Sequence, residues 1–216
     1  MGNPITKNRM VDGGDRWEIG GTLAIVSGGV IEGGALSTVE SGSLNNKGIH
    51  HYQITPAAAS ATATHAAVTL GASAQDVTTA ITNPDVPRTV TVKGNASGIA
   101  GNVVITGTNV DGDTITDTIA LSGASEVEGI KAFATVTNIH LPAKTNSSGD
   151  TVSVGRANKF GLPEIVYNAA LLLVKLFNAS ADTGTLAVDS DEVEKNLFAI
   201  NGTPDGAKVL DLYYIA

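Results

Sequence analysis

The chain contains no cysteine, and this absence removes several classes of function at once. Disulfide frameworks, thiol nucleophiles and cysteine-based zinc or iron–sulfur sites all require that residue. At 216 residues the chain is long enough to bury a hydrophobic core without such cross-links. Its stability must therefore come from packing and hydrogen bonding.

Charged and aromatic residues are also scarce, at 16% and 4%, and the net charge is -8. Nucleic acid is not expected as a partner, because binding phosphates needs clustered lysine and arginine. No membrane partner is expected either, since the longest apolar run, residues 169–174, falls far short of the ~20 residues that span a bilayer. The polar residues 1–10 predict no secretion signal.

The residues that are abundant, mainly Gly, Ala, Thr, Val, Ser and Asn, suit β-strands joined by tight turns. Turn signals recur along the second half, and apolar and polar residues alternate between them, which predicts an all-β fold. We expect a β-sandwich, Ig-like or jelly-roll-like, over residues 67–216. The alternation is clearest at residues 88–93, 133–141, 151–154 and 209–215. One apolar segment, residues 165–177, fits either a helical stripe or a buried strand, and a strand is favoured by its neighbours.

The clearest hairpin is predicted over residues 102–121, with Asp111-Gly112 at its turn. In a simple two-residue-turn register, Asp117 lies opposite Thr106 and shares a face with Ile115 and Ile119. Either that face is partly solvated or a bulge shifts the pairing.

Three segments precede the predicted sandwich. Residues 1–16 are expected to form an extended arm, because Pro4 and the turn-forming residues 12–15 oppose regular structure. Residues 17–44 contain short apolar pieces between Gly-Gly pairs, which predicts a small β module that docks on a neighbouring subunit or on another protein. Residues 45–66 are low in complexity and predict a linker, either an irregular loop on the fold or a free tether.

Candidate chemistry is sparse. His50, His51, His65 and His140 lack the spacing of a zinc site, and no Gly-x-Ser-x-Gly elbow marks a nucleophile. Residues 94–101 lack the Gly-Lys-Ser/Thr of a phosphate loop and lead into a strand. The acidic residues of 189–194 fit a solvated turn, with Ca²⁺ binding as the alternative. We therefore predict no catalytic, cofactor or metal residues, and a protein that is not an enzyme.

Residues 10–23, MVDGGDRWEIGGTL, followed by Gly-Gly-Val-Ile at 28–31, resemble the start of head fibre proteins of tailed bacteriophages. Residues 101–108, 111–121, 131–143, 150–155 and 159–163 and the ending 209–214 are similar to a β domain of phage structural proteins. The resemblance implies a virion protein, a head fibre or capsid decoration subunit. It also implies a homotrimer or another oligomer that is made in the host cytoplasm and binds the major capsid protein at the capsid surface. The chain lacks a long repetitive shaft, which favours a compact decoration subunit, and no catalytic residues carry over.

Apolar residues of the Gly-Gly module are the candidate contacts with the capsid or with other subunits, because so small a module cannot bury them alone. The single tryptophan is the best anchor, and an ordinary local core position is the alternative for it. A different function is a tail-associated or receptor-binding domain that contacts host carbohydrate. The candidate interface residues are Trp17, Ile19, Leu23, Ile25, Val30 and Ile31.

Overall fold

A computed structural model describes residues 8–11, 16–19, 48–146 and 149–216 of the chain. The chain divides into two units, residues 1–46 and residues 47–216. In the first unit, β1 (Asn8–Val11) pairs antiparallel with β2 (Arg16–Ile19). The pairing joins the predicted arm to the predicted Gly-Gly module, so the boundary predicted between them falls inside a hairpin.

The regular secondary structure described in the second unit is almost entirely β-strand, which confirms the predicted all-β class and is consistent with a β-sandwich. Its helical content within the described residues is two short 3₁₀ turns, Ala169–Leu171 and Val193–Lys195. The strands are β3 (Ile49–Ile54), β4 (Ser60–Thr69), β5 (Gln75–Val77), β6 (Arg88–Gly94), β7 (Asn102–Thr108), β8 (Thr114–Ala120), β9 (Glu126–Phe133), β10 (Thr135–Leu141), β11 (Thr151–Gly161), β12 (Leu172–Phe177), β13 (Ser180–Ala181), β14 (Thr185–Ala187), β15 (Leu197–Ala199) and β16 (Leu210–Ile215).

The strands of the second unit form three sheets. One has the order β5-β10-β7-β8, and another has the order β13-β12-β16-β3. The largest has the order β14-β15-β11-β6-β9, with β4 paired to β11 beside it. All strand pairs are antiparallel, as expected for strands joined by tight turns.

The linker predicted over residues 45–66 is wrong for the residues that the structure describes there. β3 pairs along its whole length with β16, and β4 pairs with β11. The Ala- and Thr-rich stretch lacks a period-two pattern, yet small side chains suit this crowded position, because a Cβ on Gly155 of β11 would overlap the carbonyl oxygen of Ser60. The β body therefore begins near residue 47, about twenty residues before the predicted boundary.

The first hydrophobic core fills the space between the β5-β10-β7-β8 sheet and the β6, β9 and β11 strands. Alternate residues of each strand point inward, as the period-two pattern predicts. Its fully buried members include Val90, Val103, Ile105, Phe133 and Leu141.

The hairpin predicted over residues 102–121 is confirmed as β7 and β8, but its register differs from the simple one. The loop is longer than two residues, since Thr108 pairs with Thr114, and Asp117 lies opposite Ile105 instead of Thr106. Asp117 does point to the core face and is only 6% exposed. Its Oδ2 accepts hydrogen bonds from the backbone N–H groups of Ile130 (2.7 Å) and Lys131 (3.3 Å) in β9. The buried carboxylate is thus satisfied by backbone of the other sheet.

The second core lies under the β13-β12-β16-β3 sheet, and its buried members include Phe160, Phe198, Leu210, Leu212 and Tyr214. The ambiguous segment 165–177 ends as a strand, β12, as favoured. Before it, the 3₁₀ turn Ala169–Leu171 is capped by Asn168, whose side chain accepts a hydrogen bond from the Ala170 N–H (2.9 Å).

A buried arginine at the start of β6 forms hydrogen bonds to several separate segments of the second unit. Arg88 is 0% exposed, and its guanidinium lies over the Phe160 ring, 4.8 Å from the centroid. Its nitrogens donate to the carbonyl oxygens of Ala157 (2.7 Å) and Ala57 (2.9 Å) and to the carboxylate of Asp85 (2.9 Å). These polar and cation–π contacts compensate the charge inside the protein.

Candidate functional site

Of the six predicted interface residues in the first unit, the structure describes the backbones of two and leaves four outside the described residues. Trp17 and Ile19 lie on β2, where their backbones pair with Met10 and Asn8. Their role as contacts stays a prediction. The other candidates, Leu23, Ile25, Val30 and Ile31, lie outside the described residues.

In the second unit, the sheet β13-β12-β16-β3 presents an exposed face that carries apolar side chains. Odd-numbered residues of β3 and β16 point outward, while Leu210, Leu212 and Tyr214 point to the core. Ile49 pairs with Ile215, and Val174 pairs with Tyr213, so these four side chains share the outward face. We call these four residues the outer apolar face; within it, Ile49 is 69% exposed and Val174 is 39% exposed.

A polar group sits among these apolar residues. The Nε2 of His51 is hydrogen-bonded to Asp211 Oδ1, and Gln53 Nε2 donates to Asp211 Oδ2 (3.3 Å). The His51 ring stacks on Tyr213, with 4.3 Å between centroids. Tyrosine and other aromatic side chains are enriched in surfaces that bind other proteins.

The opposite face of β3 borders a cleft of about 400 Å³. There His50 Nδ1 lies 3.1 Å from Glu164 Oε1, the Tyr214 hydroxyl donates to Glu164 Oε2, and the His50 ring stacks on Tyr214. Burial, reinforced by the bond to Glu164, raises the pKa of Tyr214, which keeps its hydroxyl neutral and a donor. Tyr167, 57% exposed, lines the same cleft.

The acidic residues of 189–194 form an ion-pair network instead of a simple solvated turn. Asp189 Oδ1 accepts from the backbone N–H groups of Asp191 and Glu192, both at 2.9 Å, and these bonds lower the pKa of Asp189. Lys131 Nζ binds Glu192 Oε1 (2.5 Å) and Glu194 Oε1 (3.1 Å).

A second lysine, Lys195, also pairs with Glu192. Within residues 48–146 and 149–216, no cluster of three or more His, Asp or Glu side chains has the arrangement to hold a metal ion.

Sequence reasoning missed Lys131, because it lies on β9, some sixty residues before its carboxylate partners. Spacing along the chain gives no signal for such a contact. His50 and His51 are adjacent on β3 and face opposite sides of the sheet, where they stack on Tyr214 and Tyr213 respectively.

Comparison with protein-family models, with curated proteins and with solved structures finds no match to this chain. Among the described residues, no helix has the length and apolar character needed to cross a membrane. Function must accordingly be argued from the residues and their geometry.

Proposed function

We propose that the chain is a non-enzymatic structural subunit of a tailed bacteriophage particle, a head fibre or capsid decoration protein. Two features support this. The first is the resemblance of residues 10–23 and 28–31 to the start of head fibre proteins. The second is the outer apolar face, where Ile49 is 69% exposed and shares the outward side of the sheet with Val174 and Tyr213, as suits contact with another subunit.

In this proposal the two units have different tasks. The first unit, with Trp17 as its anchor, binds the major capsid protein at the outer surface of the shell. The outer apolar face joins copies of the chain into a homotrimer. The subunit is made in the host cytoplasm and ends on the virion, and it uses neither nucleic acid nor a membrane, in keeping with its net charge of -8.

The test begins with light scattering on the purified chain and co-sedimentation with capsids that lack it. We expect a trimer that co-sediments with the shells. Ile49→Lys should shift the trimer toward monomer, because a charge on the outer apolar face opposes burial. Ile130→Lys is the matched control, since Ile130 is similarly exposed (62%) but lies on β9 in a different sheet.

A monomer that ignores capsids would overturn the proposal and favour the second candidate, a domain that binds host carbohydrate. The cleft beside β3 favours that candidate, because it places exposed Tyr167 near the carboxylate of Glu164 and the ring of His50. Tyrosine faces and carboxylates are groups that contact sugars. Binding of host cells that is lost in Tyr167→Ala, with capsid binding absent, would establish it.

A further inference from the structure

The loop between β7 and β8 holds a buried asparagine amide. Asn109 is 5% exposed, and its Oδ1 accepts hydrogen bonds from the backbone N–H groups of Asp111 and Asp113, both at 3.0 Å. Two N–H donors aimed at one carbonyl oxygen polarise the carbonyl and stabilise negative charge that develops on that oxygen. The amide carbon of Asn109 is therefore prepared for nucleophilic attack.

An amine and this amide are held by the same carboxylate. The side chain of Glu194 is 6% exposed; its Oε1 accepts from Lys131 Nζ (3.1 Å), and its Oε2 accepts from Asn109 Nδ2 (3.4 Å). The side chain of Lys131 is itself 17% exposed. A buried carboxylate that touches both a potential nucleophile and a potential leaving group is placed to move protons between them.

We propose that Lys131 and Asn109 join spontaneously through an isopeptide bond, with Glu194 as the catalytic acid and base. The bond links Nζ of Lys131 to Cγ of Asn109 and requires no cofactor, oxidant or partner. It follows from the arrangement of three side chains within the second unit, and it does not depend on the role proposed for the protein in a phage particle.

The atoms and protons of the reaction balance. Glu194 takes a proton from the Lys131 ammonium, and the neutral amine attacks Cγ while the carbonyl electrons move to Oδ1 between the two N–H groups. Glu194 then passes its proton to Nδ2 and accepts one from Nζ. The Cγ–Nδ2 bond breaks as the carbonyl re-forms, and ammonia leaves and takes the remaining proton. An ammonium group and a primary amide thus become a secondary amide and an ammonium ion.

Glu192 contacts the same amine as Glu194. Burial alone lowers the pKa of Lys131, but the hydrogen bonds from Lys131 to Glu192 and Glu194 outweigh it and raise that pKa. Glu192 accepts from Lys131 Nζ, whereas Asn109 Nδ2 donates to Glu194, so the proposal gives the proton transfer to Glu194. A cleft of about 270 Å³, lined by Asn109 and Glu194, gives the departing ammonia a route to solvent.

The experiment is mass spectrometry of the intact, denatured full-length chain, taken after purification and after prolonged incubation at neutral pH. We expect a mass lower than that of the sequence by one ammonia. Trypsin should leave Lys131 uncut and release peptide 94–144, and further cleavage after Glu126 and Glu128 should leave the pieces 94–126 and 129–144 joined. A full-mass chain after incubation would overturn the proposal. Loss of ammonia mapped to any other asparagine would overturn it as well.

Variants separate the chemistry from the fold. Glu194→Gln keeps the shape of the side chain but cannot carry the proton, and it should retain the full mass. Lys131→Arg keeps the positive charge near both carboxylates and should also retain the full mass, which gives a second test if Glu194→Gln does not fold. Glu192→Gln is the matched control: it should still lose ammonia, at the same rate or faster. Loss of ammonia in folded Glu194→Gln would refute the catalytic role of Glu194.

Discussion

Arg88 shows how much of the fold depends on one polar side chain. Burial lowers the pKa of its guanidinium, while the carboxylate of Asp85 opposes this shift. Its acceptors come from three separated parts of the chain, the carbonyls of Ala57 and Ala157 and the side chain of Asn158 among them. The alternation of residues 88–93 predicts the strand but gives no sign of these partners, because they are distant in sequence.

We predict that Arg88→Met lowers the free energy of unfolding by about 3–5 kcal/mol, because it leaves buried carbonyl oxygens and the Asp85 carboxylate without their donor. Urea unfolding of the full chain measures this change. Arg156→Met is the matched control, since Arg156 also reaches Asp85 (3.5 Å) but its side chain is 20% exposed. We expect the control to lose less than about 1 kcal/mol. Equal losses in the two variants would show that burial of Arg88 is not what matters.

The period-two pattern predicts strands best where one face is buried and the other is exposed to solvent. β8 alternates exposed and buried residues along its whole length, and β16 alternates buried and partly buried ones. The same reasoning fails for β4, whose sequence SATATHAAVT carries little contrast between its faces. Its place is decided by its partner β11, which is a tertiary effect that local pattern does not contain.

The pattern leaves open how Asp117 is accommodated on an apolar face; in the structure it bridges β8 and β9, two strands that do not pair. β8 is an edge of one sheet and β9 is an edge of another, and the Asp117 carboxylate accepts from two consecutive N–H groups of β9. Gly129 makes room for it, since a Cβ there would overlap Asp117 Oδ2. The side chain therefore connects the edges of the two sheets.

Asp117→Ala should accordingly cost about 1–3 kcal/mol, the penalty for leaving buried backbone donors unsatisfied. Amide hydrogen exchange gives a local measurement, in which Ile130 and Lys131 should exchange faster than in the parent. Thr116→Ala, an exposed neighbour on the same strand, serves as the control and should leave both rates unchanged. If Asp117→Ala also leaves them unchanged, the carboxylate does not hold β9 in solution.

At the scale of the whole molecule, the second unit contains two hydrophobic cores. The all-β class and the hairpin over residues 102–121 were predictable, because they follow from composition and local pattern. The outer apolar face and the Lys131 network were not, because both depend on which strands become neighbours. Ile49, for example, lies in the segment predicted as a linker, but it is part of β3, where it is among the most exposed apolar residues described.

We predict that residues 47–216 fold without residues 1–46, since both cores lie entirely within the second unit. The truncated chain should keep the near-ultraviolet circular dichroism and the cooperative thermal transition of the parent. According to the proposed function, it should also fail to co-sediment with capsids. A folded truncated chain that still occupies capsids fully would contradict the anchoring role given to the first unit. Trp17→Ala in the full chain should reduce attachment without lowering the melting temperature.

The pairing of β3 with β16 has a mechanical consequence. These are the first and last strands of the second unit, they run antiparallel, and Ile49 lies opposite Ile215. Hydrogen bonds between antiparallel strands are perpendicular to the strands, so tension applied between residues 48 and 216 loads them one at a time from that end. Under load, β3 should separate from β16 at low force, one hydrogen-bonded pair after another, while the sheets around Phe133 stay intact.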